Sequence, residues 1–295
     1  MERKFYTNIL TNGDIFVGII QINGRKYKQY AEKNTRMTYI IDSYTDNLSF
    51  LRTAKDLAIL GIRNYQFMLK LYDINLIDVD PYSPALSPND IKRILIECKR
   101  NIWYFLRVVA RIPVEGGGIG PGAGTRFLLN RGNLASTWSF INNIDHYQVL
   151  PRQIGKTVGS IEDILWTYIF SSNTKMMMLC KDSSGSKENL KKLKDQRDLL
   201  PLYMQCKIVL NSDGEKKTAK GDNVTYLLNP NNGNRITTAT GGASEDAADR
   251  CGRGLTQAIQ MFDEVEFTRH IGIIIDAAGP KTSGHCIGDN TNKTF

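Results

Sequence analysis

Lys156 and Thr157 close the run Leu150-Pro151-Arg152-Gln153-Ile154-Gly155-Lys156-Thr157. The chemistry these types and spacings suggest is phosphate binding. A glycine turn aims backbone N–H groups at phosphate oxygens, at the positive end of a helix. The lysine then reaches the β- and γ-phosphates of a nucleotide, and the threonine hydroxyl sits on Mg²⁺. The helix such a loop needs follows at once, with apolar Val158, Ile161, Ile164, Leu165, Tyr168 and Ile169. Leu150 stands where the usual first glycine belongs, and Gly-Lys-Thr alone recurs by chance. The rest of the chain has to carry the reading.

A second group of residues supplies what the loop lacks. Ile259-Gln260-Met261-Phe262 is an apolar approach that ends in Asp263-Glu264. Where a hydrophobic strand of a nucleotide hydrolase ends in two acids, the first holds the Mg²⁺ shell and the second polarises the attacking water. Alone, such a pair reads as ordinary surface; behind a phosphate loop it reads as Asp263 for the metal and Glu264 for the base. Gly252-Arg253-Gly254 sets Arg253 on a pliable turn, where it suits a phosphate sensor and equally a plain solvated arginine.

These groups need strands and helices to hold them. Phe16–Ile20 and Lys26–Tyr30 read as paired strands about the turn Asn23-Gly24. Residues 47–71 read as helical. Ser87-Pro88-Asn89-Asp90 is a capping-box start for a helix that runs to Trp103-Tyr104-Phe105, an aromatic cluster read as core rather than as a base-stacking platform. Gly116 to Gly124 is glycine-rich, but no strand precedes it and Pro121 removes an N–H, so it reads as a loop or linker. His146–Leu150 is expected as the strand feeding the phosphate loop. Lys175–Cys180, with Met176, Met177 and Met178, reads as a buried parallel strand. Lys187–Leu199 is a basic amphipathic helix, a solvated face or a surface for DNA phosphates. Residues 205–240 read as a hairpin or meander, with turns at Ser212-Asp213-Gly214 and at Asn231 to Asn234.

The chain has 295 residues, a net charge of +8, 41% hydrophobic and 23% charged residues. That composition is globular, and the positive charge favours phosphate-rich partners. No apolar run reaches the length of a membrane span, and the first residues lead into no secretory h-region. Five scattered cysteines without a CxxC pair argue for reduced thiols, and three histidines make a histidine metal centre improbable.

Taken as a set, Arg152-Gln153-Ile154-Gly155-Lys156-Thr157, Gly252-Arg253-Gly254 and Phe262-Asp263-Glu264-Val265-Glu266-Phe267 resemble the large terminase subunit of tailed bacteriophages. Asn101–Phe105, Arg131–Ala135 and Leu200–Met204 add to the likeness, which spans roughly residues 80–285. The resemblance implies an α/β P-loop NTPase of the additional-strand class, a mostly parallel sheet flanked by helices, with an N-terminal mainly helical extension. The corresponding division is an extension and helical subdomain over 1–115, a Gly-rich linker over 116–125, and a P-loop ATPase core over 126–295.

The resemblance also implies an ATP-hydrolysing DNA-packaging motor. It uses ATP and Mg²⁺ and works on double-stranded DNA with a portal protein and a small terminase subunit. It self-associates as a ring on the portal, in the host cytoplasm and without a membrane. Carried over, Arg152, Gln153, Ile154, Gly155, Lys156 and Thr157 bind the nucleotide, Thr157 and Asp263 hold the metal, and Arg152 acts on the γ-phosphate in cis. Lys156 and Glu264 complete the catalytic set, and Phe127 to Asn133 is the region for adenine. Two departures accompany this: no Thr/Ser-rich coupling segment follows Glu264, and no nuclease region is present, so the core reads as truncated. Cys286-Ile287-Gly288-Asp289-Asn290-Thr291 is similar to the first block of an intein. The alternatives are a helicase-like DNA-dependent ATPase and a non-catalytic DNA- or portal-binding remnant of an interrupted gene.

Overall fold

The computed structural model describes residues 13–149, 155–206, 222–241, 244–253 and 257–278. The chain divides into two compact units. The first is Met1–Arg111 with Gly124–Asn130, and the second is Ile112–Ala123 with Arg131–Phe295.

The first unit is built on an antiparallel sheet. Strands β1 (Ile15–Ile22) and β2 (Arg25–Ala31) pair across Asn23-Gly24. Both turn residues have positive φ, 48° and 76°, as a two-residue turn matched to strand twist requires. Strands β3 (Thr38–Ile41) and β4 (Lys70–Leu71) complete the order β1-β2-β3-β4. Buried Tyr30 and Tyr39 stack on its inner side. Helix α1 (Leu48–Ile59) is shorter than its apolar pattern suggests, because Gly61 turns left-handed at φ 78°.

Helix α2 (Pro88–Arg100) starts on a complete capping box: Ser87 Oγ accepts from the Asp90 amide, and the Asp90 carboxylate accepts from the Ser87 amide. Asn101 ends it and caps the short α3 (Ile102–Tyr104), which runs into a π-helical turn, Phe105–Val109. Trp103, Tyr104 and Phe105 are buried, as core residues should be.

Two buried charges tie this unit together. Glu97 accepts from the amides of Tyr72 and Asp73 and from Asn101 Nδ2. Arg107, inside the π turn, donates to the Met68 carbonyl at 2.5 Å and lies 3.4 Å from the Asp42 carboxylate. Short strands β5 (Arg111–Ile112) and β6 (Thr125–Arg126) flank residues 113–124, which hold no regular element and carry the left-handed Gly116, Gly120 and Gly122.

The second unit opens with α4 (Arg131–Ile141) and α5 (Lys156–Phe170). Then come β7 (Lys175–Cys180), α6 (Ser183–Leu199), β8 (Asp222–Asn223), β9 (Tyr226–Leu228) and β10 (Arg235–Thr240). Helix α7 (Glu245–Arg253), β11 (Ile259–Phe262) and α8 (Ile271–Ala278) follow. The sheet order is β11-β7-β10-β9-β8. β7 is the central parallel strand, pairing β11 on one side and β10 on the other, and its three methionines are buried. Met177, Leu179 and Phe262 point to one face, where they pack on Ala248 of α7 and Ile274 of α8. Cys180 faces α6, against Gly185, where a Cβ would stand 2.6 Å from its Sγ.

This architecture corrects the expected fold class. The N-terminal region is not a mainly helical extension: it holds a four-stranded antiparallel sheet. Nor is the second sheet mostly parallel: β9 and β8 run antiparallel, because β9 and β10 are joined by the tight turn 229–234 rather than by a crossover. The expected strand before the phosphate loop is not formed over 146–149, where Tyr147 and Val149 are 52% and 82% exposed. Among the described residues, β11 lies at one edge of the sheet, beside β7.

Candidate functional site

Helix α5 begins at the phosphate-loop motif. Gly155 precedes it in the left-handed region at φ 81°, a position that favours glycine. As a glycine it brings no side-chain cap of its own to this end, the positive pole of the helix. Lys156 is the first helical residue and Thr157 the second. Arg152, Gln153 and Ile154 lie outside the described residues.

The far end of α5 is held differently. Asn234 Nδ2 lies within 3.1 Å of the carbonyls of Thr167, Tyr168 and Ser171. Asn232 donates to the Tyr168 and Ile169 carbonyls, and Asn229 to Tyr168. Apart from Thr167, whose carbonyl also accepts from the Ser171 amide, these are carbonyls a helix end leaves without intrahelical partners. The turn that supplies them contains Gly233 at φ 73°.

β11 brings its acids to the first turn of α5. Thr157 Oγ1 donates to Asp263 Oδ2 at 3.1 Å, joining positions 106 residues apart in sequence. Asn189 of α6 donates to the same oxygen at 3.1 Å, and the Glu264 amide donates to Oδ1 at 3.1 Å. Asp263 is thus buried and oriented from three sides, with its own amide bonded to the Leu179 carbonyl. Asn189 carried no sequence signal, because nothing in a polar helix marks which asparagine will meet a strand end.

Glu264 has left-handed backbone, φ 54°, costly for a residue with a Cβ. Its carbonyl accepts from the Phe267 amide and from Thr268 Oγ1. Its carboxylate Oε2 lies 2.9 Å from Lys181 Nζ and 3.7 Å from Cys180 Sγ. Burial pushes the Cys180 thiol up to about 11, and the two acids add to this. Its hydrogen bond to Glu264 holds the Lys181 ammonium above the usual lysine range.

Behind the loop, Asn133 of α4 is buried against Gly155 and Gly159 of α5, where a Cβ on Gly159 would stand 2.8 Å from Asn Oδ1. Of the region read for adenine, Asn133 therefore reaches the start of α5. Deeper in α5, Asp163 accepts from Thr137 Oγ1 at 2.9 Å. Glu162 is fully buried and neither of its oxygens has a hydrogen-bond partner. Burial, with Asp163 beside it, pushes its carboxyl well above the usual range.

Two expectations change in the site. Arg253 does not sit on a glycine turn: Gly252 and Arg253 form the last turn of α7, and Gly254 lies outside the described residues, as does the Cys286 segment. The basic helix α6 spends much of its charge internally. Lys191 pairs with Asp195, Lys192 with Glu188, and Lys194 and Arg197 with Asp222. That leaves α6 a weaker anionic-ligand face than its lysine count suggests.

The loop-side groups fit a magnesium nucleotide. A hydroxyl and a buried carboxylate meet at the start of a helix, which is the protein's share of such a site; phosphate oxygens and water would supply the remaining ligands. Among the described residues no helix is long and apolar enough to cross a membrane. No family model and no curated protein matches the chain.

Proposed function

We propose that the chain is an ATP-hydrolysing domain, and that its work is that of a viral DNA-packaging motor. One observation carries the hydrolase reading: the hydroxyl of Thr157 bonded to Asp263 at the start of α5. A threonine after Gly-Lys and a strand-end aspartate have no folding need to meet across so much sequence, and the pair is what a metal-bound triphosphate requires. Lys156 neutralises phosphate charge, Thr157 and Asp263 would hold Mg²⁺, and Asn189 fixes Asp263 in register. Bound there, the ion would draw charge from the phosphate oxygens. Glu264, one residue beyond, is the carboxylate available to orient and deprotonate water. Arg152, on the sequence resemblance, supplies a second positive charge to the γ-phosphate.

The packaging assignment rests on the resemblance to large terminase subunits, and with it come double-stranded DNA, a portal, a small subunit and ring assembly as partners. A second reading, a chain that binds nucleotide without turnover, has one observation behind it: Glu264 is engaged by Lys181.

ATP hydrolysis by the full chain, with and without double-stranded DNA, tests the proposal beside Lys156→Ala and Glu264→Gln. The parent should hydrolyse ATP slowly. Both variants should lose about 100-fold or more, the scale of removing one charge-stabilising or proton-accepting group. A fluorescent ATP analogue should still bind Glu264→Gln and bind Lys156→Ala weakly. Variants that match the parent in rate and binding would overturn the site.

A further inference from the structure

The positive charge of the chain is not spread evenly. The first unit holds 18 lysines and arginines against 11 aspartates and glutamates, a net +7, and the second holds 20 against 19, a net +1. The unit without the phosphate loop carries nearly all of the excess.

Around the turn between β2 and β3 the acids are spent inward. Asp14 and Glu32 share the Lys70 ammonium, at 3.1 and 3.3 Å. Asp14 also accepts from Tyr39 Oη, and Glu32 from Tyr72 Oη. What stays outside is cationic. Lys28, Lys33, Arg36, Lys92, Lys99 and Arg100 are exposed, and none of them forms an ion pair among the described residues.

A short run of contacts joins these cations. The Arg100 guanidinium lies 5.4 Å from the centre of the Tyr72 ring, and Tyr72 Oη bonds to Glu32 at 2.5 Å. The Glu32 carbonyl accepts from the Arg36 amide, closing the turn that carries Lys33 and Arg36. The end of α2 therefore adjoins the β2–β3 turn. Lys28 leads into that turn on β2. Lys92 and Lys99, seven residues apart, share one stripe of α2, about 10 Å apart along its axis.

We propose that this surface, the outer stripe of α2 with the β2–β3 turn, binds the sugar–phosphate backbone of double-stranded DNA without reading its sequence. The choice of DNA among polyanions rests on the packaging reading above. Cations without protein partners are the ones that release counterions when they meet phosphates. The lysines of α6 are already met by acids of their own unit. A duplex fits better than a single strand, because single-strand grooves set open aromatic faces between their cations for bases to stack on. Here the ring within the surface, Tyr72, lies under Arg100, and the exposed residue between Lys92 and Lys99 is the aliphatic Ile96.

The test is the fluorescence anisotropy of a labelled random-sequence duplex titrated with the full chain, without nucleotide, between about 50 and 200 mM salt. Replacing Lys33, Arg36, Lys99 and Arg100 together by glutamine should weaken binding about 100-fold. It should also flatten the slope of log affinity against log salt by about 3 to 4. The milder Lys99→Gln with Arg100→Gln should cost about tenfold, and Lys191→Gln with Lys192→Gln in α6 about twofold or less. Equal losses in the two double variants would mean that total charge and not this surface holds the duplex, and would overturn the proposal. So would a parent that does not bind the duplex, or a quadruple variant that binds it like the parent. A single strand, a duplex RNA or phosphatidylserine vesicles held more tightly than duplex DNA would overturn the choice of partner, and the proposal with it. Because nucleotide is absent, these outcomes leave the hydrolase reading untouched; a parent that binds the duplex through these residues yet neither binds nor hydrolyses ATP would fell that reading alone. Melting temperatures of the variants confirm that each comparison is between folded chains.

Discussion

The two units treat buried charge in opposite ways. In the first, Glu97 and Arg107 are sunk in the core and bonded to backbone: Glu97 to the amides of Tyr72 and Asp73, Arg107 to the Met68 carbonyl. These charges serve as joints between β4, α2 and the π turn. In the second, Glu162 is equally buried and, among the described residues, bonds to nothing, while Asp263 gathers Thr157 and Asn189 on one oxygen and the Glu264 amide on the other. A buried charge that satisfies backbone builds structure. A carboxyl left without a hydrogen-bond partner in the core spends stability without building any. Such spending is a mark of a functional region.

Substitutions can break this contrast, and the largest effect belongs to the first unit. Arg107→Ala strips a buried guanidinium from carbonyls and from Asp42, and should cost about 3–5 kcal/mol. Hydrogen exchange read by segment should rise in β3 and β4 and stay unchanged in β7 and β10. Equal loss in both units would show that Arg107 does not act locally.

Glu162→Gln should have the opposite sign. An acid whose folded pKa is raised binds its proton more tightly in the native state. Its stability is therefore full below the unfolded value, about 4.3, and falls as pH climbs toward the folded one. The variant should remove that decline, a gain of order 1 kcal/mol at pH 8 and nothing near pH 4. Urea midpoints at the two pH values read it, and parallel curves for parent and variant would mean that Glu162 finds a partner in solution. The smallest effect is Ser87→Ala, about 1 kcal/mol for the α2 capping box, with no change in nucleotide binding. Thermal unfolding and the fluorescent-ATP assay check it together.

What was legible in the sequence is what depends on neighbours. Asn23-Gly24 announces its hairpin, Ser87-Pro88-Asp90 its helix start, and the methionine run its buried strand, because each is a local preference. Gly155-Lys156-Thr157 and Asp263-Glu264 announced themselves by type, and their meeting through Thr157 needed the fold. What was not legible depends on partners distant in sequence. Whether β9 runs parallel or antiparallel is decided by the length of the connection to β10, not by either strand. His146–Leu150 has the composition of a strand, yet among the described residues 146–149 pair with no strand. Asn189 and Lys181, which contact the two acids, are ordinary polar residues until β11 lies beside β7. The helical pattern in residues 47–71 was half right, since Gly61 stops what the apolar spacing would have continued.

The asparagine turn at the end of α5 has a mechanical consequence. A helix of 15 residues is a rod about 22 Å long. One end of this rod is riveted, through three asparagine side chains, to the turn between β9 and β10, and its first turn is tied to the end of β11 through Thr157 and Asp263. A rod held at both ends moves as one body, so a displacement of its first turn is carried along its whole length to the turn between β9 and β10.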